Sequence, residues 1–289
     1  MSEKNLCILI LNWNCLEDSL RAVSLLAKSP WQICVVDNGS ADPAEASVIR
    51  ARYPAIHTIS TGVNLGYAGG MNTGMRWAFA ERFTHCLLLN PDTTPTVQVV
   101  EEMLKLADDG AVVGTAQVTE NGQPYISAAT LRGRKVVPFQ CATSCGIGHE
   151  VDIVSGAGIM VELGAANSVG FMDERFFHYK EEFDFCFRIL RLGRKLQYSC
   201  GSALIHRRGG SLSGSSPAAM YYSYRNEILF LKKHFGTWAW ISSLGLFRNA
   251  VMSGIKSPRT THAIVRGLVH GARGVTGPLA DLRIGGLAK

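Results

Sequence analysis

The chain has 289 residues, of which 47% are hydrophobic and 18% are charged. This length accommodates one large domain with an appendage or two small domains, and the composition excludes a disordered, collagen-like or coiled-coil protein. The net charge of +6 is unevenly distributed, since residues 221–289 carry ten Lys or Arg and two Asp or Glu. A basic C-terminal region of this kind attracts nucleic acid, anionic lipid or phosphorylated substrates.

Short apolar runs alternate with amphipathic stretches at the start of the chain. The apolar runs predict strands at 6–13, 33–36, 56–59, 85–89 and 111–113. The amphipathic stretches predict helices at 16–27, 44–52, 68–82 and 97–107. Alternating strands and helices indicate a mostly parallel sheet with helices on both faces, and such sheets bind ligands at the carboxyl ends of their strands.

The pattern is weaker in the second half. Residues 119–150 are polar and turn-rich, which predicts a loop or insertion with weak hairpin character. Regular structure is predicted to resume at 151–162, followed by a helix at about 182–192 and one or two strands at 196–205. Two further helices are predicted near the end of the chain, at 220–235 and 238–255.

Polar residues stand where the first four predicted strands end, so we expect them to meet at one crevice. They are Asn12 and Asn14, then Asp37 and Asn38, then Asn64 and Gly66, and finally Asn90 and Asp92.

Each of these groups also has an ordinary structural explanation. Asp37 and Asn38 begin a turn in which Asp42 caps the next helix, so turn formation competes with binding of a base or ribose. The segment 64–74 contains four glycines at a helix start, which favours phosphate binding but is also typical of close helix packing. Asp92 suits a hard divalent cation, or simply closes a turn.

Three acidic residues, Glu181, Glu182 and Asp184, begin a helix whose other positions are mostly apolar. The helix dipole favours acids there, but carboxylates beside apolar residues also acquire the shifted pKa of a general base. His206 follows an apolar run and is either a metal ligand or a buried histidine.

The N-terminal residues lead directly into a strand without the pattern of a secretory signal, so we expect a cytoplasmic protein with reduced cysteines. The eight cysteines include no CxxC pair and lie mostly in apolar runs, which indicates core thiols. Cys141, Cys145 and His149 could suggest a zinc knuckle, but no fourth ligand follows at a suitable spacing. We therefore expect core cysteines rather than a metal site.

The C-terminal region combines aromatic and basic residues, including Trp238, Trp240 and Arg248. Its apolar stretch at 238–247 is too short for a spanning helix, which needs about 20 residues. The pattern is typical of a helix that lies in the interface of an anionic membrane. Packing on the core, or in a homodimer, explains it equally well.

Taken in order, these motifs resemble glycosyltransferase family 2, and its bacterial rhamnosyltransferase-like members in particular. The resemblance covers roughly residues 6–236. Its motifs are Asn12 and Asn14, 36–40, 64–72, 89–92, 156–158, 181–184 and His206, together with the segments 170–177 and 221–226.

The resemblance implies an α/β protein of the GT-A fold, with a mostly parallel central sheet flanked by helices and a helical C-terminal extension. The catalytic domain would span 1–215, with a nucleotide-sugar half at about 1–118 and an acceptor half at about 150–215, followed by the basic helical region 216–289. The implied activity is inverting transfer of a sugar to a hydroxyl of a glycan or lipid-linked glycan in cell-surface polysaccharide synthesis. The donor would be dTDP- or UDP-linked, such as dTDP-L-rhamnose.

The resemblance also assigns roles to individual residues. Glu182 would be the catalytic base, with Asp184 and Glu181 as alternatives. Asp92 and His206 would bind Mg²⁺ or Mn²⁺. The residues that would bind the donor are Asn12, Asn14, Asp37, Asn38, Asn64, Gly66, Asn72, Asn90, Gly156 and Gly158, with Asp37 at the nucleotide base.

The chain departs from the family pattern at two positions. Asn90 stands where the family often has the first Asp of Asp-x-Asp, which removes one carboxylate from the metal turn. Glu182 stands where the base is usually Asp, which adds one methylene of reach.

Two other functions remain open from the sequence. A nucleotidyltransferase would need a glycine-rich basic loop after the first strand, and residues 11–15 contain none. A non-catalytic module would use its basic tail to bind lipid or nucleic acid. For a transferase of this family we expect no nucleic-acid partner.

Overall fold

The computed structural model of the chain describes residues 5–108, 111–133, 135–139, 141, 148–207, 216–236 and 258–279. The first half alternates strands and helices as predicted, except that the short strand β5 was not predicted and β6 is longer than its apolar run. The elements are β1 Leu6–Asn12, α1 Leu16–Leu26, β2 Gln32–Asp37, α2 Glu45–Arg52, β3 His57–Ser60, α3 Gly66–Ala80, β4 His85–Leu89, β5 Thr93–Thr94, α4 Val97–Leu106 and β6 Val112–Val118.

The second half has more strands than the sequence predicts. The region expected to be a loop contains four short strands, which periodicity misses because polar residues or proline interrupt each of them, so that none forms a continuous apolar run. The predicted helix at 238–255 lies outside the described residues. The elements are β7 Pro124–Tyr125, β8 Ala128–Arg132, β9 Lys135–Phe139, β10 Gly148–Val151, β11 Ile153–Val154, β12 Gly158–Glu162, α5 Leu163–Ser168, α6 Glu181–Arg191, β13 Leu196–His206, α7 Pro217–Phe235 and α8 Pro258–Arg273.

The central sheet has the strand order β10-β13-β6-β12-β4-β1-β2-β3. The strands β4, β1, β2 and β3 are parallel, so their carboxyl ends form one edge. β12 lies antiparallel between β4 and β6, and β13 runs parallel to β6. The sheet is therefore mixed in its second half. The sequence does not reveal this, because a strand buried on both faces has the same apolar pattern in either direction.

Helices cover both faces of the sheet, because alternate residues of each central strand point to opposite faces. In β1, Cys7 and Leu9 pack on one side with residues of α3, α5 and α6. Ile8 and Ile10 pack on the other side with residues of α1, α2 and α4. All seven residues of β1 are buried, as an interior strand of such a sheet requires.

The C-terminal helices pack against each other through small residues. A Cβ atom at Gly267 would lie 2.6 Å from the carbonyl oxygen of Tyr221, and one at Gly271 would lie 2.6 Å from that of Arg225. Two glycines one turn apart on α8 therefore allow its close approach to α7. Within the described parts of the chain, no helix combines the length and the hydropathy needed to cross a membrane.

Candidate active site

Asp92 and His206, which are far apart in the sequence, meet beyond the carboxyl end of β4. β5 pairs with the last residues of β13, with Thr93 opposite His206. The backbone N–H of Arg207 donates to the carbonyl oxygen of Asp92 at 2.9 Å. As a result, Nε2 of His206 lies 3.3 Å from Oδ1 of Asp92.

This pair fits a divalent cation. Oδ1 of Asp92 is buried, and no hydrogen bond to it comes from any residue that the structure describes. Carboxylate oxygen suits Mg²⁺ and Mn²⁺, and imidazole nitrogen is a common additional ligand. Asn90 closes the turn through its carbonyl oxygen, which accepts from Oγ1 of Thr93 at 2.6 Å. The two predicted metal ligands are thus together.

The acidic residues at the start of α6 follow a loop with an unusual backbone. Phe177, Tyr179 and Lys180 have φ values of 65°, 69° and 72°, in the left-handed region that residues other than glycine rarely adopt. Such strained backbone persists only where the surrounding contacts impose it, and it is concentrated at functional sites. The loop fixes the direction in which Glu181 and Glu182 enter the helix.

Glu181 is buried, and Glu182 is half-buried with its Oε2 atom shielded from water. Burial raises the pKa of Glu181 well above its usual range, and the charge of Glu182 raises it further. Burial also raises the pKa of Glu182, and backbone N–H groups and the charge of Lys180 only partly offset this. Oε2 of Glu182 accepts no hydrogen bond from the described residues. A carboxylate with a raised pKa and an unused oxygen is a suitable general base.

Contacts of Tyr67 connect the loop before these acids with the metal turn, and the ring of Tyr67 lies 6.4 Å from that of His178 in this loop. Burial, together with the charges of Glu181 and Glu182, raises the pKa of Tyr67 well above its usual value. The hydroxyl of Tyr67 donates to the carbonyl oxygen of Gly156. The next residue, Ala157, accepts a hydrogen bond from the backbone N–H of Asn90 at 3.2 Å. The loop that leads into the acids and the metal turn are therefore linked through Tyr67 and the segment 156–157.

Asp184 has different surroundings. Its carboxylate contacts Arg188 at 2.8 Å, Lys233 at 2.6 Å and His234 at 2.7 Å. Burial disfavours its charge, but the hydrogen bond from His234 and the charges of Arg188 and Lys233 outweigh burial and lower its pKa. Oδ1 of Asp184 thus joins α6 to α7, and Oδ2 pairs with Arg188 within α6, so both oxygens are engaged, which favours Glu182 as the base.

Asp37 is fixed by a network at the ends of β1 and β2. The side-chain amide of Asn12 donates to Oδ1 of Asp37 at 3.2 Å and to Glu45 at 2.7 Å. Ser60 donates to Oδ2 of Asp37 at 3.3 Å. Asn12 is fully buried, and its oxygen accepts from Ser19 at 2.7 Å. Asn12 therefore positions Asp37, and the hydrogen-bonding groups of its own amide are already bound to protein side chains.

Asn14 and Asn64 lie nearer the surface. Asn14 is exposed, with its side-chain oxygen accepting from the backbone N–H of Ala41 at 2.7 Å. Asn64 is half-buried, and its oxygen accepts from Asn38 at 3.3 Å and from the backbone N–H of Gly66 at 2.8 Å. These residues border the ends of β2 and β3, where a nucleotide is expected.

Some of the predicted donor-binding residues lie in the interior instead. Asn72 is fully buried and exchanges two hydrogen bonds with the backbone of Met172, at 2.8 and 2.9 Å. A Cβ atom at Gly158 would lie 2.5 Å from Leu204, so this glycine allows close packing between strands. In the glycine-rich segment, a Cβ atom at Gly74 would lie 2.9 Å from Leu9. Helix packing therefore explains Gly74.

Gly66 and Gly156 have roles at the site itself. Gly66 has a φ of +73°, and a Cβ atom there would overlap the carbonyl oxygen of Phe177. A Cβ atom at Gly156 would lie 3.2 Å from the hydroxyl of Tyr67. Both glycines therefore permit close contacts around the loop that carries the acids.

Comparison with known proteins identifies the family. The model described as Glycosyl transferase family 2 matches residues 7–161, which is more than half of the chain. The chain belongs to glycosyltransferase family 2. The model described as Glycosyl transferase family group 2 matches residues 85–269. Family membership agrees with the resemblance seen in the motifs.

Two curated relatives of this family 2 chain have names that describe an activity. A protein of Haloferax volcanii, named Low-salt glycan biosynthesis hexosyltransferase Agl10, is 26% identical over 235 residues, covering 78% of this chain and 75% of the relative. An N-acetylglucosaminyl-diphospho-decaprenol L-rhamnosyltransferase of Mycobacterium tuberculosis is 25% identical over 257 residues, covering 77% of this chain and 82% of the relative.

Solved structures show that this family 2 chain has the GT-A fold. GalNAc-T7, crystallised with UDP, GalNAc and Mn²⁺, superposes with a TM-score of 0.61 at 15% identity over 80% of this chain and 48% of that one. Staphylococcus aureus TarS in complex with UDP-GlcNAc superposes with a TM-score of 0.58 at 13% identity over 93% of this chain and 81% of that one. The predicted fold class, with its helical C-terminal region, is confirmed.

Two buried residues of α7, Arg225 and Asn226, were given no role by the sequence analysis, although they lie in the segment 221–226. Arg225 donates to the carbonyl oxygen of Phe176 at 2.8 Å. The amide of Asn226 donates to three backbone carbonyls, those of Phe176 at 2.8 Å, His178 at 2.7 Å and Tyr179 at 2.7 Å. α7 therefore holds the strained loop that precedes the acids.

Replacing Asn226 by alanine is expected to lower the free energy of unfolding by about 2–3 kcal/mol, because it removes the amide donor to the carbonyl groups of His178 and Tyr179, while that of Phe176 keeps Arg225. Chemical denaturation monitored by tryptophan fluorescence measures the change. Asn167 is a matched control, because it is an exposed helical residue whose replacement by alanine should change stability by less than about 0.5 kcal/mol. Equal stability of both variants would show that the amide of Asn226 does not hold the loop.

Proposed function

We propose that this family 2 member is an inverting glycosyltransferase that moves a sugar from a nucleotide diphosphate donor to an acceptor hydroxyl. The observation that carries the proposal is the meeting of Asp92 with His206 at the edge of the sheet, joined through Gly156 and Tyr67 to the loop that leads into the acids of α6. Ligands gather at this edge in α/β sheets.

In this mechanism Glu182 acts on the acceptor. An alcohol has a high pKa, so its oxygen attacks efficiently only when a base removes its proton. Glu182 accepts that proton while the oxygen attacks the anomeric carbon from the face opposite the nucleoside diphosphate. One bond forms as the other breaks, and the configuration at that carbon is inverted.

The other predicted residues hold the donor. Asp37 would face the nucleotide base, supported by Asn12, with Asn14 and Asn64 beside it. Asp92 and His206 would hold Mg²⁺ or Mn²⁺. When bound, such a cation neutralises the negative charge that develops on the departing diphosphate.

The relatives suggest which donor to test first. One relative is named as an L-rhamnosyltransferase, and two structural neighbours were crystallised with UDP or UDP-GlcNAc. We therefore propose a dTDP- or UDP-linked sugar, with dTDP-L-rhamnose as the first candidate. Sugar selectivity depends on a few polar contacts within the pocket, so only a direct assay decides it.

The decisive experiment incubates the purified chain with a panel of dTDP-, UDP- and GDP-sugars in the presence of Mg²⁺, Mn²⁺ or EDTA. Release of nucleoside diphosphate is measured with and without lipid-linked glycan acceptors. We expect one donor to be turned over, with most of the activity lost in EDTA. Absence of turnover and of binding for every sugar nucleotide would refute the proposed function.

We further propose that the acceptor is a lipid-linked glycan at the inner face of the cytoplasmic membrane. The curated rhamnosyltransferase has a diphospho-decaprenol acceptor in its name. Arg259 and Arg266 of α8 belong to the basic region proposed to contact anionic lipid, and the alternative that we propose for α7 and α8 is a homodimer contact. Flotation with anionic vesicles at low salt tests the membrane contact. If the chain does not float with the vesicles, the proposed contact is refuted.

A further inference from the structure

A cluster of two thiols and an imidazole lies away from the residues proposed for catalysis. The ligand atoms of Cys141, His149 and Cys200 all lie within 4.8 Å of one another. Sγ of Cys141 is 3.9 Å from Nε2 of His149. The first two residues belong to the knuckle-like spacing in the sequence, and Cys200 is the ligand that spacing could not reveal.

The strand pairing explains why these residues meet. β10 is antiparallel to β13 with His149 opposite Tyr198, so their side chains share one face of the sheet. Cys200 is two residues beyond Tyr198 and lies on that face as well. The register of β13 against β6 shifts between Ser199 and Ala203, which marks an irregularity in the strand at Cys200.

Packing of Phe139 against His149 and Tyr198 places Cys141, the third ligand, near the other two. Phe139, the last residue of β9, packs 5.3 Å from the ring of His149 and 5.5 Å from that of Tyr198. Cys141 follows two residues later and is partly buried against the main core. Cys200 is 4% exposed. The donor atoms are therefore partly shielded from water, as in a structural metal site.

The geometry is close to that of tetrahedral zinc. Zn–S bonds of about 2.3 Å and Zn–N bonds of about 2.0–2.1 Å place neighbouring ligand atoms roughly 3.5–3.8 Å apart. The 3.9 Å between Cys141 and His149 is near that range, and the widest separation allowed by the 4.8 Å limit needs about 1 Å of closure. Thiolates with imidazole select zinc over Mg²⁺ and Mn²⁺.

We propose that Cys141, His149 and Cys200 form a structural zinc site. Zinc bound there would fasten the chain on both sides of residues 142–147 to β13, the strand that ends at His206. Cys145 lies outside the described residues, and the proposal does not depend on it. Because the ligands differ from Asp92 and His206, the site is independent of the proposed transferase reaction.

The test measures zinc in the full chain, purified without a histidine tag and without added metal. Mass spectrometry of the metal content should give about one zinc per chain, as expected for a single site with these three protein ligands. Replacing bound zinc by Co²⁺ should produce a sulfur-to-cobalt charge-transfer band and the visible bands of tetrahedral cobalt. Removing the metal with a chelator should lower the thermal midpoint, and adding Zn²⁺ alone should restore it.

Variants assign the ligands. Cys141→Ser, His149→Asn and Cys200→Ser should each lower Zn²⁺ affinity by at least about 10-fold, in line with the loss of one ligand from such a site. Cys34→Ser is the matched control, because Cys34 is an equally buried strand thiol outside the cluster, and it should retain full zinc content. Replacing Cys145 separately measures whether it supplies a further ligand.

Three results would overturn the proposal. The chain could contain no zinc and bind none when Zn²⁺ is added, or mass spectrometry could find Cys141 and Cys200 joined in a disulfide. Alternatively, Asp92→Asn could abolish zinc binding while Cys200→Ser retains it, which would place the metal at the proposed catalytic pair. Since zinc content is measured without any sugar nucleotide, a failed zinc test leaves the transferase assay unaffected, and the reverse also holds.

Discussion

Replacing Glu182 by glutamine is expected to lower kcat by at least ~10²-fold, which is the range usual for loss of a general base. Glutamine has nearly the same shape as glutamate, so donor binding should be retained. The rate falls because an amide cannot take the proton from the acceptor hydroxyl. Nucleoside diphosphate release at saturating donor and acceptor measures kcat, and calorimetry measures the affinity for the donor.

Two variants provide the comparison. Glu162→Gln also removes one glutamate charge, but Glu162 pairs with Arg194 and lies opposite His85 at the other end of β4, so its kcat should be unchanged. Asp184→Asn removes the alternative base. Because Asp184 is held by ion pairs to α7, we expect lower stability with kcat largely retained in the folded fraction. Near-wild-type turnover by Glu182→Gln, with a large loss in Asp184→Asn, would exchange their roles.

The pH profile gives a second measurement of the same base. Burial raises the pKa of Glu182, so this side chain remains protonated to a higher pH than an exposed glutamate. A protonated carboxyl cannot act as a base, so kcat/KM should rise with pH as Glu182 ionises and fall on the acidic side. In Glu182→Gln the residual activity should lose this acidic limb.

The first half of the fold could be predicted from the sequence because local patterns determine it. Apolar runs such as 85–89 are long enough to define a buried strand, and turn residues bound them clearly. The short strands β7, β8, β9 and β10 could not be predicted in this way. Their pairing depends on contacts between distant segments, such as that of β10 with β13, and no local period records these contacts.

The same reason limits prediction of the site. Residue type and position singled out Asp92 and His206 separately, but their approach depends on the register of β5 with β13, where Thr93 faces His206. Asn12 and Asn72 carry polar amides that suggested ligand contacts, whereas the structure uses both to hold other parts of the chain. A sequence motif cannot distinguish a residue that binds a ligand from one that positions it.

Long-range contacts also explain what was missed. Asn226 was noted only as part of the segment 221–226, yet it binds the backbone of the loop that orients Glu182. Cys200 lies in an apolar run and was interpreted as a core thiol. Its proximity to His149 arises from an antiparallel pairing that the sequence does not display.

Replacing Asp92 by asparagine is expected to lower kcat/KM at a fixed metal concentration by at least ~10²-fold, because the cation contributes several kcal/mol of charge stabilisation. Asparagine keeps one oxygen but loses the negative charge, so the metal should bind more weakly. Raising the Mn²⁺ concentration should therefore recover part of the activity. His206→Ala should also weaken the binding of Mn²⁺, since Nε2 of His206 lies 3.3 Å from Oδ1 of Asp92.

Activity titrated against Mn²⁺ measures the half-saturating metal concentration, and electron paramagnetic resonance of free Mn²⁺ measures binding directly. Asp108→Asn is the matched control, because Asp108 is exposed beyond the far end of α4 and its loss should leave the titration unchanged. If Asp92→Asn required no more Mn²⁺ than the parent chain, Asp92 would not be a metal ligand. Its burial beside His206 would then have to be explained by the stability of the turn, which denaturation of the same variant measures.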